Sequence, residues 1–292
     1  MSIDILQDKI RKLKNPTVLD LALPVGELPA HLMEEEGSAG AAYGRFCREL
    51  LTALKGTVGA VRVGFTAFSI LGAEGISQLA RILKEAASMG YYVVLEAPYV
   101  LSPMMAGAVA EAVFGPDPVY PCDGLIMTSY PGSDVIKPFL PYCKEGKKDL
   151  YFVVRTSNKT APEIQDLLTG SRLVHAAAAD FINRYGSDNV GKSGYARVSV
   201  LAGANSEQSL KNLRGKYPRL FLLLDDMDYS GCSARICASA FDKFGHGAAV
   251  CVGPTITCAW KKAETDGRDY LLHGATAAER VKKNLTRYTT IL

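Results

Sequence analysis

The sequence lacks several features that would narrow its function. It has no C-x-x-C pair, no run of five or more basic residues, no Pro/Gly/Ser-rich linker and no apolar run approaching a membrane span. Without clustered basic residues, and with a net charge of only +3, nucleic-acid binding is not expected. The short apolar runs argue against a membrane-spanning helix. The seven cysteines are odd in number and sit mostly in apolar contexts, which favours reduced, buried thiols in a cytoplasmic protein over disulfides or a zinc site. The four histidines, His31, His175, His246 and His273, lie away from the ends of the expected strands and read as surface or packing residues. The opening stretch MSIDILQDKIRKLKNP has no apolar core of signal-peptide length and reads as a short amphipathic helix. No cofactor-binding pattern is read in the chain.

What the sequence does have is a repeated alternation. Eight short apolar runs recur at Val18–Leu21, Val58–Val63, Tyr92–Glu96, Gly124–Met127, Leu150–Arg155, Arg197–Leu201, Leu220–Leu224 and Ala248–Val252. Most are continuously hydrophobic, as strands buried on both faces should be. Between them lie segments of helical period such as Glu74–Met89 and Ser206–Leu213. Helix starts are marked by Ser133-Asp134, by Ala161-Pro162-Glu163 and by Asn205-Ser206-Glu207. Eightfold strand–helix alternation predicts an α/β fold, a single (β/α)₈ TIM barrel spanning residues 1–292 with extra terminal helices; a doubly wound sheet is the alternative.

In such a barrel, chemistry belongs on the loops at the carboxyl ends of the strands. Glu96 ends the third strand in YVVLEAPYVLSP and is followed by a loop without further charge. It is a candidate general base or cation ligand, or else a carboxylate paired with Arg62 or Arg155. Asp225, Asp226 and Asp228, in the turn after the seventh strand, offer oxygen ligands to a hard divalent ion or simply form an acidic turn. Arg155, Ser157 and Asn158 at the end of the fifth strand are candidates to hold a planar amide or carboxylate, or to bond within their own loop.

Three stretches carry a resemblance: PGSDVIKPFLPYC (131–143), VVRTSNKTAPEIQDL (153–167) and GYARVSVLAGANSEQSLKNLRGKYPRLFLLL (194–224). In order and spacing, from about Val18 to Trp260, the chain resembles the bacterial long-chain branch of the orotidine 5'-phosphate decarboxylase family, enzymes of pyrimidine biosynthesis. The resemblance implies a (β/α)₈ barrel, a pairing into homodimers and a catalytic D-x-K-x-x-D after the third strand, whose lysine delivers the proton. Here that motif falls on Glu96, Pro98 and Leu101. The family's strand-one aspartate falls on Ala22 and its strand-two lysine on Arg62. The glycine turn that helps hold the substrate phosphate falls on Asp225-Asp226-Met227-Asp228, and the phosphate arginine on Pro254. Ser157 matches the pyrimidine-contacting serine. The expectation is therefore a barrel that keeps the family's frame, has lost its carboxy-lyase chemistry and binds a different small molecule. An active decarboxylase with displaced groups, another lyase using Glu96 and Arg62, and a structural partner of an active paralogue are the alternatives.

Overall fold

The computed structural model describes residues 2–97, 100–145, 148–228 and 231–292. Among them eight parallel strands close into a barrel: β1 (Thr17–Asp20), β2 (Ala60–Gly64), β3 (Tyr92–Glu96), β4 (Gly124–Thr128), β5 (Asp149–Val153), β8 (Val198–Ala202), β9 (Leu222–Leu224) and β10 (Ala248–Val252). The two remaining strands, β6 (Leu168–Thr169) and β7 (Arg172–Leu173), form a small antiparallel hairpin outside the barrel. β1 pairs with both β2 and β10, which closes the ring. The expected (β/α)₈ architecture is the one observed, and each expected strand overlaps one of the barrel strands.

Strand alternation splits the apolar residues into two cores. On β3, Val93 and Leu95 face the surrounding helices, while Tyr92 and Val94 face the barrel interior. On β10, Val250 and Val252 belong to the outer core, and Ala249 and Cys251 to the inner one. The helix α1 (Ser2–Leu13) closes the amino-terminal end of the barrel, inserting Ile3, Leu6 and Ile10 into the inner core. Its amphipathic pattern therefore serves to plug the barrel bottom.

Just above that plug sits a polar cluster. The Tyr92 hydroxyl donates to Asp149 Oδ2 at 2.5 Å and lies 2.9 Å from the Tyr151 hydroxyl. Gly124 on β4 makes room for the pair, since a Cβ there would stand 2.7 Å from Tyr151 Cε2. Burial pushes the Asp149 carboxyl up to about 7.

Two features depart from the sequence reading. The helix opened by Pro162 is only four residues long (Pro162–Gln165), because the chain turns into the β6–β7 hairpin before a second turn forms. The helix expected at Ser133 likewise ends at Ile136 and passes into a short 3₁₀ turn at Lys137–Phe139. The Ser206 cap is observed, its hydroxyl accepting from Ser209 N at 3.3 Å at the start of Glu207–Lys216. All seven cysteines are free, six of them buried, and no described helix is long and apolar enough to cross a membrane.

If α1 is integral to the barrel, Leu6→Ala should cost about 2–5 kcal/mol, as for other buried leucines. Urea denaturation measures this; a loss below roughly 0.5 kcal/mol, the level of ordinary surface substitutions, would show that the plug is dispensable.

Candidate functional site

The inward-facing alternation that builds the inner core continues to the carboxyl ends of the strands. Val18 on β1 is followed two residues on by Asp20, Ala60 on β2 by Arg62, Val94 on β3 by Glu96, and Leu223 on β9 by Asp225. Four polar side chains therefore converge at the barrel mouth from four strands, and they form one cluster.

Arg62 stands at its centre. Its Nε and Nη2 donate to Glu96 Oε2 at 2.9 and 2.6 Å. Its Nη1 donates to Asp225 Oδ1 at 3.1 Å and lies 3.2 Å from Asp20 Oδ2. Arg62, Asp20 and Asp225 are buried, whereas the Glu96 side chain keeps 25% of its surface exposed and faces the opening. Burial alone would lower the Arg62 pKa, but Asp20 and Glu96, with help from Asp225, hold it well above its usual value. Burial raises the Asp20 carboxyl to about 6, a rise that Arg62 only partly offsets. Asp226 is pushed further, to about 8, first by burial and then by the negative charges of Asp20 and Asp228.

Two cavities meet at this cluster. One, of about 440 Å³, is lined by Asp20, Arg62, Glu96, Asp225 and Asp226 together with Thr66 and Ile70. The other, of about 250 Å³, is lined by Arg62, Glu96, Asp225, Thr156, Asn158 and apolar residues. Arg62 is the one cationic side chain among the described residues lining either. A third cavity, of about 270 Å³, is apolar and separate, lying beneath the strand-three loop between Leu95, Val100, Leu101 and Met105.

The structure sorts the sequence candidates. Glu96 and Arg62 are brought together, and Asp225 joins them. Pro98 lies outside the described residues. Leu101 is exposed and lines the apolar cavity away from Arg62. Pro254 begins the short helix Pro254–Thr257 and contributes no charge. Ala22 carries no charge; the strand-one carboxylate that reaches Arg62 is Asp20, and Ala22 contributes the backbone N–H that donates to Asp20 Oδ1 at 2.9 Å.

The proposed ligand-holding trio is only partly available. The Arg155 fork is committed to Asp166, with both bonds at 3.0 Å, and its Nη1 also donates to Asn205 Oδ1 at 2.6 Å. His175 supports the same carboxylate, with Nδ1 3.0 Å from Asp166 Oδ1. Ser157 is buried, its Oγ accepting from Ala204 N at 2.9 Å and its own N–H donating to Asp225 Oδ2 at 3.1 Å. Asn158 alone of the three lines either of the two mouth cavities described above, and it also bonds Thr156 and Thr160.

The metal reading is not supported either. Among the described residues no group of three potential ligands is placed to hold a metal ion. Asp225 is taken by Arg62, Asp226 Oδ1 accepts from Asp228 N at 2.9 Å, and the Asp228 carboxylate accepts from Gly253 N and Thr255 N.

No protein-family model matches the chain. Known proteins do. It is 28% identical over 235 residues to orotidine 5'-phosphate decarboxylase of Rhodopirellula baltica, covering 79% of this chain and 78% of that one. It is 24% identical over 269 residues to the enzyme of that name from Clostridium novyi, covering 92% of both. Over most of its length the chain is thus similar in sequence to proteins named orotidine 5'-phosphate decarboxylase. Solved structures agree on the fold: the OMP decarboxylase of Leishmania donovani aligns over 99% of both chains with a TM-score of 0.75 at 20% identity. The orotidine 5'-monophosphate decarboxylase of Plasmodium berghei aligns over 99% of this chain and 98% of its own, with a TM-score of 0.79 at 13% identity.

Removing the one cation should leave three carboxylates uncompensated. Arg62→Met is expected to destabilise the protein by about 3–5 kcal/mol, toward the lower end because Glu96 reaches solvent; denaturant unfolding reads the loss. Asp226 gives a signed pH dependence. Its folded pKa is raised from 3.8 to about 8, so the folded state holds the proton more tightly and stability falls as pH rises through that window. Relative to the parent, Asp226→Asn should gain stability progressively from about pH 4 to about pH 8 and level off above. A difference independent of pH would contradict the assignment.

Proposed function

We propose that this chain is a divergent orotidine 5'-phosphate decarboxylase-like protein that no longer decarboxylates, and whose barrel mouth holds a small, uncharged or cationic molecule lacking a phosphate. The observation that carries this reading is the surrounding of Arg62, the one described cation lining the mouth, by Asp20, Glu96 and Asp225. A guanidinium stays protonated at any ordinary pH and is a poor proton donor, so it does not replace a lysine that must hand over hydrogen. By the resemblance, the lysine position carries Pro98, which has no ionisable proton. Loss of a positioned general acid alone costs about 10²–10⁴ in rate. The excess of carboxylates also opposes an anionic substrate. At about 6 Å and an effective dielectric near 20, one unscreened carboxylate repels a singly charged phosphate by roughly 3 kcal/mol.

One observation favours a second reading, a different lyase-type reaction in the same mouth. Asp20 and Asp226 are both shifted toward neutrality, as acid–base groups in working sites are. In that reading Glu96 is the base, Arg62 holds an anionic group of the substrate, and Asp226 supplies the proton.

We further propose a cytoplasmic homodimer formed from a single domain, supported by the free thiols and by exposed apolar residues around the strand-three loop. Leu101, Met104 and Met105 are 56%, 90% and 54% exposed beside the apolar cavity. A role as structural partner of an active paralogue would use the same surface.

Purified protein incubated with orotidine 5'-phosphate should release carbon dioxide no faster than buffer. Turnover above background would reject the leading reading. Thermal shift should show stabilisation by a polyamine and none by a nucleoside monophosphate; the reverse order would favour a retained nucleotide site.

A further inference from the structure

The polar cluster above the α1 plug contains a carboxylate with half of its bonding capacity unused. Asp149 is wholly buried at the start of β5, and its Oδ1 has no hydrogen-bond partner. Oδ2 accepts from the Tyr92 hydroxyl, which in turn lies within bonding distance of the Tyr151 hydroxyl. Among the described residues no cation forms an ion pair with Asp149. Arg197, the cation that attracts it through space, pairs instead with Asp4 of α1 at 3.5 Å and donates to Val190 O at 3.1 Å. A buried carboxylate with one bare oxygen and no counter-ion is costlier than the same group carrying its proton.

The first turn of α1 rests on this residue. Ser2 Oγ and Asp149 N donate to the same acceptor, Asp123 O, at 3.1 and 2.9 Å. Ile3, the next residue, packs in the inner core that contains Tyr92 and Tyr151. Two further bonds hold the helix: Asp4 Oδ1 accepts from Ser193 N at 2.7 Å, and Gln7 Oε1 from Gly247 N at 3.0 Å. The seat of α1 is therefore made of fixed bonds on one side and an incompletely paired carboxyl on the other.

The remaining ionisable groups around Asp149 differ from it. Burial, with the Asp149 charge adding to it, keeps the Tyr92 and Tyr151 hydroxyls protonated far above their usual range. Burial likewise raises the Cys143 thiol in the helix Leu140–Lys144. For Asp4 burial is outweighed by its bonds from Ser193, and it stays below the ordinary carboxylate range. Lys9 and Lys148 donate to the backbone oxygens of Gly90 and Cys122. Asp123 is the other carboxyl that burial raises, opposed by the bond from Val93 N, so a variant has to separate it from Asp149. Asp149 itself is pushed up by burial to about 7. A raised folded-state value means that the seat is most stable below about pH 4 and weakens as pH rises through about 7.

We propose that Asp149 and the first turn of α1 form a proton-dependent latch on the barrel bottom, in which the plug is seated on a protonated carboxyl and loosens when that proton leaves. The latch does not depend on what the mouth binds.

Hydrogen exchange at pH 6 and pH 8.5 tests it, read as protection factors so that the pH dependence of the exchange chemistry cancels. In the parent, the amides of Leu6 to Ile10 should lose at least about tenfold in protection between the two pH values. Those of Leu222 to Leu224, in the barrel wall, should keep theirs. Asp149→Asn, uncharged at both, should hold the α1 protection constant, with circular dichroism confirming the fold. A parent without pH dependence, an equal fall in Asp149→Asn, or a fall shared equally by Leu222 to Leu224 would overturn the proposal. If Asp149→Asn does not fold, Tyr92→Phe decides: it removes the donor that favours the ionised carboxyl, so the loosening should move to higher pH. A midpoint that stays or moves lower would contradict the latch.

Discussion

The buried guanidinium of Arg62 is the interaction on which the barrel mouth depends. Three strands other than its own deliver a carboxylate to it, so one cation holds together the ends of β1, β2 and β3 and the turn after β9. An ion buried in this way is tolerated only where its hydrogen-bonding groups are met, and here Nε, Nη1 and Nη2 all find oxygen. The same arrangement leaves carboxylates in excess; burial first, and that excess to a lesser degree, drives Asp20 and Asp226 toward neutrality. Local geometry and the charge presented to a ligand therefore have one origin.

Around that centre, groups that look free in the sequence are used to build the walls. Arg155 is locked by Asp166 and Asn205, with His175 behind, and Ser157 ties the strand-five loop both to Asp225 and to Ala204. Asp225 thus links Arg62 to Ser157, connecting opposite sides of the mouth through a single side chain. Likeness to a family is a statement about frame; what the site does is decided by residues such as these.

Much of the frame was legible in the sequence because strands buried on both faces leave continuous apolar runs, and eight of them separated by helical periods leave few other folds. The Glu96–Arg62 pairing is legible as well, since both residues end neighbouring strands. Asp20 was not picked out, although the signal was present: Val18, Asp20 and Ala22 share one parity, and the lower of the two upper positions carries the charge. Asp166 and Asn205 were missed for a different reason. They lie in loops, 11 and 50 residues from Arg155, and only the tertiary fold brings them to it. The acidic turn looked like a metal site because alternate carboxylates look alike in one dimension; in three they diverge to Arg62, to their own turn and to the β10 loop.

The most direct test of the account is a carbon-13 NMR titration of the aspartate carboxyl groups, assigned by comparison with Asp20→Asn and Asp226→Asn. A mouth built on one buried guanidinium with carboxylates in excess predicts that Asp20 titrates at about 6 and Asp226 at about 8. If both carboxyls instead titrate close to the ordinary 3.8, the mouth is neither buried nor overcharged in the way described, and the account is wrong.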